Sequence, residues 1–257
     1  MENRMSAAPL TAAFAPSDQS IAARAPSRRI IGLSAIALAV VFNIPYSVLG
    51  ATFDYPHVLR RPPGEVLDLF GAGGPALVLT WYGFMLCALM LAPFAAAFAL
   101  TPGRIDARPV LAIGAASAGV AAALAQAIGL SRWVFVVPGL ARTHLDPAAN
   151  TDARLFAERT FDMLDQALGV GIGEHIGQLL TALFIALAAS MQWSERQRVS
   201  AAIGFAAAAT MTIGTGEGLV LALGGAGDAF AMATIAGFLG MTAWLIASAV
   251  ALLRRPS

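Results

Sequence analysis

The chain has 257 residues, 58% of them hydrophobic and only 12% charged, with a net charge of +1 and a mean hydropathy of +0.73. A soluble domain is about 45–50% apolar and about 25% charged, so this composition excludes an ordinary soluble enzyme or binding module and makes the lipid bilayer the expected surrounding. The near-neutral balance supplies no basic stripe, and no nucleic acid is expected as a partner.

All sixteen basic residues are arginine, which reads as a compositional bias rather than as chemistry. The single cysteine, Cys87, lies inside an apolar run, which excludes an intrachain disulfide and a CxxC redox pair. A buried, unreactive thiol is its default.

Residues 1–28 are rich in Ala, Pro and Ser without a sustained period, the pattern of a disordered tail. Ser27-Arg-Arg-Ile-Ile-Gly-Leu33 resembles a twin-arginine export signal, but the apolar run behind it, 30–51, exceeds the 7–15 residues of a signal core and several more spans follow. It is therefore read as a retained first helix, with Pro45 placed to kink it. The next segment holds His57, Arg60, Arg61, Glu65 and Asp68, and Pro62-Pro63 introduces a short interfacial helix over 64–70. A second span is expected over 74–100, with Trp81 and Tyr82 in the aromatic belt near its start. The turn Thr101-Pro-Gly-Arg-Ile-Asp-Ala-Arg108 leads to a third span, 109–130, which can continue through Pro138.

In the polar stretch 139–168, Ala157, Phe161, Leu164 and Leu168 repeat at helical spacing, while Asp152, Glu158, Asp162 and Asp165 lie off that stripe. An amphipathic helix capping the bundle is expected there. The fourth span, 168–190, opens on Gly169-Val-Gly-Ile-Gly-Glu-His-Ile-Gly-Gln178, which puts Glu174 and His175 side by side inside a membrane helix. Gly173 and Gly177, four apart, are the spacing by which helices approach closely. A fifth span over 200–223 carries Glu217 in Thr215-Gly-Glu-Gly-Leu-Val220, Gly224-Gly-Ala-Gly-Asp228 turns the chain, and a sixth span covers 229–253. The fold class is thus all-α: six transmembrane helices in one domain, 29–255, with two short amphipathic helices in the outer loops.

Six spans put both termini on one side. Arg4, Arg24, Arg28, Arg29, Arg104, Arg108, Arg196, Arg198, Arg254 and Arg255 share that face, against Arg60, Arg61, Arg132, Arg142, Arg154 and Arg159 on the other. The positive-inside rule then makes both termini cytoplasmic. On this arrangement Glu174 lies roughly 9 Å below the outer end of its span, and Glu217 reaches a similar depth. Asn43, Tyr46, Thr80, Tyr82 and Gln126 fall in the same half. Charged side chains in a bilayer avoid the lipid face, so these residues predict an outward-facing polar pocket centred on Glu174, His175, Gln178 and Glu217, with Asn43, Tyr46, Tyr82 and Gln126 around it.

Three readings of that centre are open. The acids form structural pairs with His175 or Arg132; they serve ligand binding or a proton relay; or they hold a metal together with His175 and a loop histidine, His57 or His144. The last is weakened because adjacent residues on an α-helix point about 100° apart. No cofactor is called for and no catalytic residue is assigned. Ala115-Ala-Ser-Ala-Gly119 lacks the last-span histidine an intramembrane serine protease needs. Three histidines, one within a span, are too few for a membrane zinc hydrolase or a haem carrier, and no phosphate-binding motif occurs.

Phe53-Asp-Tyr-Pro56, Ala72-Gly-Gly-Pro-Ala-Leu77, Trp133-Val-Phe-Val-Val-Pro138 and above all Gly173-Glu-His-Ile-Gly-Gln178 resemble an uncharacterised family of bacterial multi-pass membrane proteins, a domain-of-unknown-function group. The resemblance implies a bacterial inner-membrane protein and supplies no activity or cofactor. Two classes remain: a protein that binds, senses or transports a small molecule or lipid through the pocket, which is favoured, or a membrane enzyme with His175 as base and Glu174 or Glu217 orienting it.

Overall fold

The computed structural model describes residues 27–225 and 227–254. The disordered-tail reading of residues 1–28 lies, up to residue 26, outside the described residues, as do the placements of Arg4, Arg24 and Arg255, whereas Ser27–Leu33, which resembles an export signal, is described and forms the cap and first turns of a helix. Among the described residues, six helical stretches are long and apolar enough to cross a membrane: Arg28–Phe53, Pro63–Ala99, Pro109–Leu145, Thr151–Ser194, Arg198–Ala222 and Asp228–Leu253. No strand occurs among the described residues.

Helix α1 (Arg28–Phe53) begins where the Ser27 hydroxyl accepts the Ile30 N–H at 3.3 Å, and ends on Asp54 in the left-handed region at φ 53°. Aspartate is among the few residues other than glycine that adopt that conformation readily. Pro45 has no N–H to give the Val41 carbonyl, and the Cys87 thiol of the next helix donates to it at 3.5 Å instead. Between α1 and α2 a strap forms a short 3-10 turn, His57–Arg60, after a cis Tyr55–Pro56 bond.

The interfacial helix and the second span expected from the sequence meet as one kinked element, α2 (Pro63–Ala99). The kink is at Gly74, with φ 57° and ψ −156°, a conformation that side chains resist. Pro75 follows and disfavours helical geometry in the residue before it. The short α3 (Pro102–Ala107) turns the chain into α4 (Pro109–Phe135), which breaks at Val136 and resumes as α5 (Val137–Leu145). The amphipathic cap is α6 (Thr151–Leu164), capped by the Asn150 side chain, which accepts from Ala153 N–H at 2.8 Å. It runs without a loop into a π-helical segment, Asp165–Ile176, and then α7 (Gly177–Ser194). The fifth span breaks at Thr215 into α8 (Arg198–Gly214) and α9 (Gly216–Ala222), and α10 (Asp228–Leu253) closes the bundle.

Two cores divide the interior. Toward Arg104, Ala35, Ala95, Ala112, Ala122 and Ala188 let helix backbones approach, with Phe94, Phe98, Phe184 and Trp244 between them. Lipid tails are as apolar as these side chains, so close packing rather than water exclusion holds this half together. Toward Arg60 the core is aromatic: Trp81 stacks on Trp133 at 4.8 Å with their planes 8° apart, and Phe53 meets both edge-on. Such pairs each add about 0.5–1.5 kcal/mol beyond burial. Large apolar side chains such as Val40, Leu79, Met90, Val110, Ile113 and Phe135 stay exposed on the outside, as a lipid-facing surface requires.

At the Arg104 end, Arg104 donates to Glu195 Oε1 at 2.5 Å and Oε2 at 3.0 Å, and to the Phe98 carbonyl, tying the turn after α2 to the turn after α7.

Candidate functional site

The site grows from the π-helical segment. Its sequence carries Gly169, Gly171 and Gly173, which remove the side chains that would crowd its wide turns. Arg132 of α4 lies against Gly169, where an added Cβ would come within 2.5 Å of its Nη2. The guanidinium donates to Asp165 Oδ1 at 2.7 and 3.2 Å and to the Gly129 carbonyl. Both partners are buried, with 4% and 5% exposure. A buried pair of this kind is weak as a source of stability but costly to break, so it fixes where the π segment begins. π-helical stretches of this kind occur often at functional sites.

At the other end of the segment, Glu174 meets a cation that comes from the strap. Arg60 Nη2 donates to Glu174 Oε2 at 2.6 Å, and its Nε donates to Glu217 Oε1 at 3.0 Å. One guanidinium thus joins α1–α2, the π segment and α9. The three side chains are 30%, 25% and 14% exposed, so the pairs are only partly open to solvent. Burial pushes the Arg60 guanidinium down, but Glu174 and then Glu217 outweigh it and hold it above its ordinary value. Burial, helped by the Glu174 carboxylate, keeps the Tyr55 phenol above the usual tyrosine range. Arg60 stays charged and Tyr55 stays neutral at any ordinary pH.

A cavity of about 390 Å³ opens beside this group between α1 and α10. Asn43, Tyr46, Glu174, Gln178 and Glu217, five of the residues expected at the pocket, line it. Phe42, Tyr55, Phe238 and Leu239 form apolar wall, and Asp228 stands at the rim. Deeper in, Asn43 donates to Thr242 Oγ1 at 3.1 Å and Thr234 donates to Gln178 Oε1 at 3.3 Å. A smaller cavity of about 90 Å³ adjoins it, lined by Gln126, Arg132, Trp81 and Trp133 and sharing Tyr46, Tyr55, Glu174 and Gln178 with the larger one. Gln126 also donates to Thr181 at 2.7 Å.

Two expected members stand elsewhere. Tyr82 is 41% exposed on the outer surface of α2 and lines neither cavity, because its helix turns Trp81 inward instead. His175 donates through Nδ1 to the Thr215 carbonyl at 3.0 Å, pinning the break between α8 and α9, and it too is absent from both cavity walls. The pairing of the acids with His175 or Arg132, considered from the sequence, is replaced by pairing with Arg60, since Arg132 is held by Asp165. The metal alternative loses its ligands: His144 lies between Asp68 and Glu158 at 3.3 and 3.2 Å, and His57 lies 3.7 Å from Asp54. No group of three or more His, Cys, Asp or Glu side chains among the described residues is placed to hold an ion.

Gly173 and Gly177 lie where α4 comes closest. A Cβ on Gly173 would stand 3.2 Å from Gly129 Cα, and one on Gly177 would stand 2.9 Å from Gln126 Cγ.

Arg60, Tyr55, Thr234, Thr242 and Asp228 did not stand out in the sequence as site residues. Charge balance was the available signal for Arg60: two carboxylates inside a bundle call for a cation, and it can come from a loop as readily as from a span.

Among the described residues, six apolar helical spans around a mostly apolar cavity with a few charged groups define a multi-pass integral membrane protein. The chain belongs to the family described as a domain of unknown function, DUF4386, whose model matches residues 30–249. No curated protein and no solved structure matches it.

Proposed function

We propose that this protein binds a small molecule or lipid in the cavity between α1 and α10, as a membrane sensor or carrier rather than an enzyme. The observation that supports it best is Arg60 bridging Glu174 and Glu217 on the wall of a cavity otherwise lined by Phe42, Tyr46, Tyr55 and Phe238. Ligand sites commonly combine a mostly apolar wall with a few convergent polar groups, and intramembrane charges commonly mark such sites. Below the cavity lies the packed core of Phe94, Phe98, Phe184 and Trp244, which favours binding over open conduction. The enzyme reading is disfavoured because His175, its base, lines neither cavity.

The membrane is taken to be a bacterial inner membrane with both termini cytoplasmic. Arg28, Arg29, Arg104, Arg108, Arg196, Arg198 and Arg254 at one end support that orientation. The cavity then opens outward. Native mass spectrometry of the purified protein tests the reading against Ile235→Trp, which fills the cavity from α10. A molecule retained by the parent and lost from the variant is the expected result. No retained molecule, or equal retention by a variant that melts like the parent, would contradict it.

A further inference from the structure

We propose that the cavity takes a cationic group, an ammonium or guanidinium, carried on an apolar body. The inference rests on the binding reading above and names the chemistry of its ligand. The charges are unequal: Arg60 is the arginine on the wall, with the exposed His57 turned to Asp54, against Glu174, Glu217 and, at the rim, Asp228. Three of the five N–H donors of Arg60 are committed. Its Nε donates to Glu217, its Nη2 to Glu174, and its Nη1 to the carbonyl of the preceding Leu59 at 3.2 Å. An anionic ligand therefore finds at most two N–H donors left on that guanidinium and faces the carboxylates as well.

The acids keep unused capacity. Glu174 meets Arg60 through Oε2 and Glu217 meets it through Oε1, so the second oxygen of each accepts nothing among the described residues. A carboxylate has room for several donors. An ammonium seated between these oxygens balances the excess negative charge, which is expensive to leave uncompensated in a partly desolvated place. The rings of Tyr46, Tyr55 and Phe238 around the space favour a cation by their quadrupoles and accommodate an apolar body. A neutral ligand would satisfy the rings but leave the charge unbalanced. Arg60 already shows the chemistry on one side of the carboxylates, and the cavity offers the other side.

The test compares three probes of one shape on the full chain in phosphatidylglycerol nanodiscs: phenylbutylammonium, phenylbutanol and phenylbutyrate, titrated calorimetrically. The ammonium should bind at least about tenfold more tightly than the alcohol, and the carboxylate more weakly still. Glu217→Gln and the exposed rim variant Asp228→Asn should each weaken the ammonium several-fold and leave the alcohol unchanged. The rim variant touches no packing, so it reports even if the other fails to fold. Equal binding of the three probes, with loss on Ile235→Trp, would overturn the cation preference while the cavity stands as a ligand site. Absence of binding by every probe would overturn both. In nanodiscs containing phosphatidylethanolamine, weakened binding of the ammonium identifies a lipid amine headgroup as the native source, and unchanged binding identifies a soluble amine.

Discussion

Arg60 Nη2 lies 2.6 Å from Glu174 Oε2, although 114 positions separate the two residues along the chain. The contact exists because the left-handed Asp54 and the 3-10 turn His57–Arg60 fold the strap back over the bundle. Asp54 also accepts from Arg61 Nη2 at 2.5 Å, so the two neighbouring arginines are sorted, one to the strap itself and one to the cavity. Closing the strap and building the cavity wall are therefore one event.

The glycines of the π segment set how closely it meets α4. Gly173→Leu should abolish folding, because its side chain would be driven into the backbone at Gly129, and Gly129→Ala should destabilise through the same contact. Gly139→Ala, where nothing lies within 4 Å, is the control and should melt like the parent. Thermal unfolding in detergent separates them. Parent-like melting of Gly173→Leu would mean that the segment does not pack through its glycines.

Tyr55 gives an alkaline signature with a definite sign. Burial raises its folded-state value above the ordinary 10.0, so the folded protein holds the phenol proton more tightly than the unfolded chain. Its contribution is present below the ordinary value and is lost as pH rises from there toward the folded-state value. Stability should fall above about pH 10. Tyr55→Phe should flatten that decline and leave the neutral-pH behaviour little changed. An unaltered alkaline limb in the variant would assign the decline to other groups.

Much of this architecture is legible in the sequence because apolar runs of membrane length admit few alternatives. The six spans and the amphipathic cap needed only hydropathy and period. Boundaries were less legible where a backbone device replaces a loop: Gly74-Pro75 bends one helix where the composition suggested two elements. The π segment was hidden for a similar reason, since helical counting assumes a constant turn, and glycine can belong to either geometry. Counting along the helices is enough to bring Glu174, Glu217, Asn43 and Tyr46 to one level, and the four line one cavity. Rotation about the helix axis is not readable in this way, so Tyr82 at a plausible depth stands on the outer surface. The strap followed neither rule, because the place of Arg60 depends on a turn conformation that no period encodes.

The arginine distribution yields a topology test. Reporters fused after Arg104 or Arg196 should report a cytoplasmic position, and one inserted at Asn150 should report the opposite side. The reverse pattern would turn the cavity toward the cytoplasm and detach the outward-facing reading from the bundle.

The most direct measurement is a thermodynamic cycle on Arg60→Gln, Glu174→Gln and Glu217→Gln, singly and in pairs, with His175→Gln as an external reference. Stability is read from thermal unfolding in detergent. Removing Arg60 alone leaves two carboxylates facing each other and should be the most damaging single change. Adding Glu174→Gln or Glu217→Gln to it should recover part of the loss, with couplings of about 0.5–3 kcal/mol. His175→Gln should add to either acid variant within about 0.5 kcal/mol, because its partner is the Thr215 carbonyl. Additive losses between Arg60 and both acids would contradict the account, since the cavity would then have no shared charged centre.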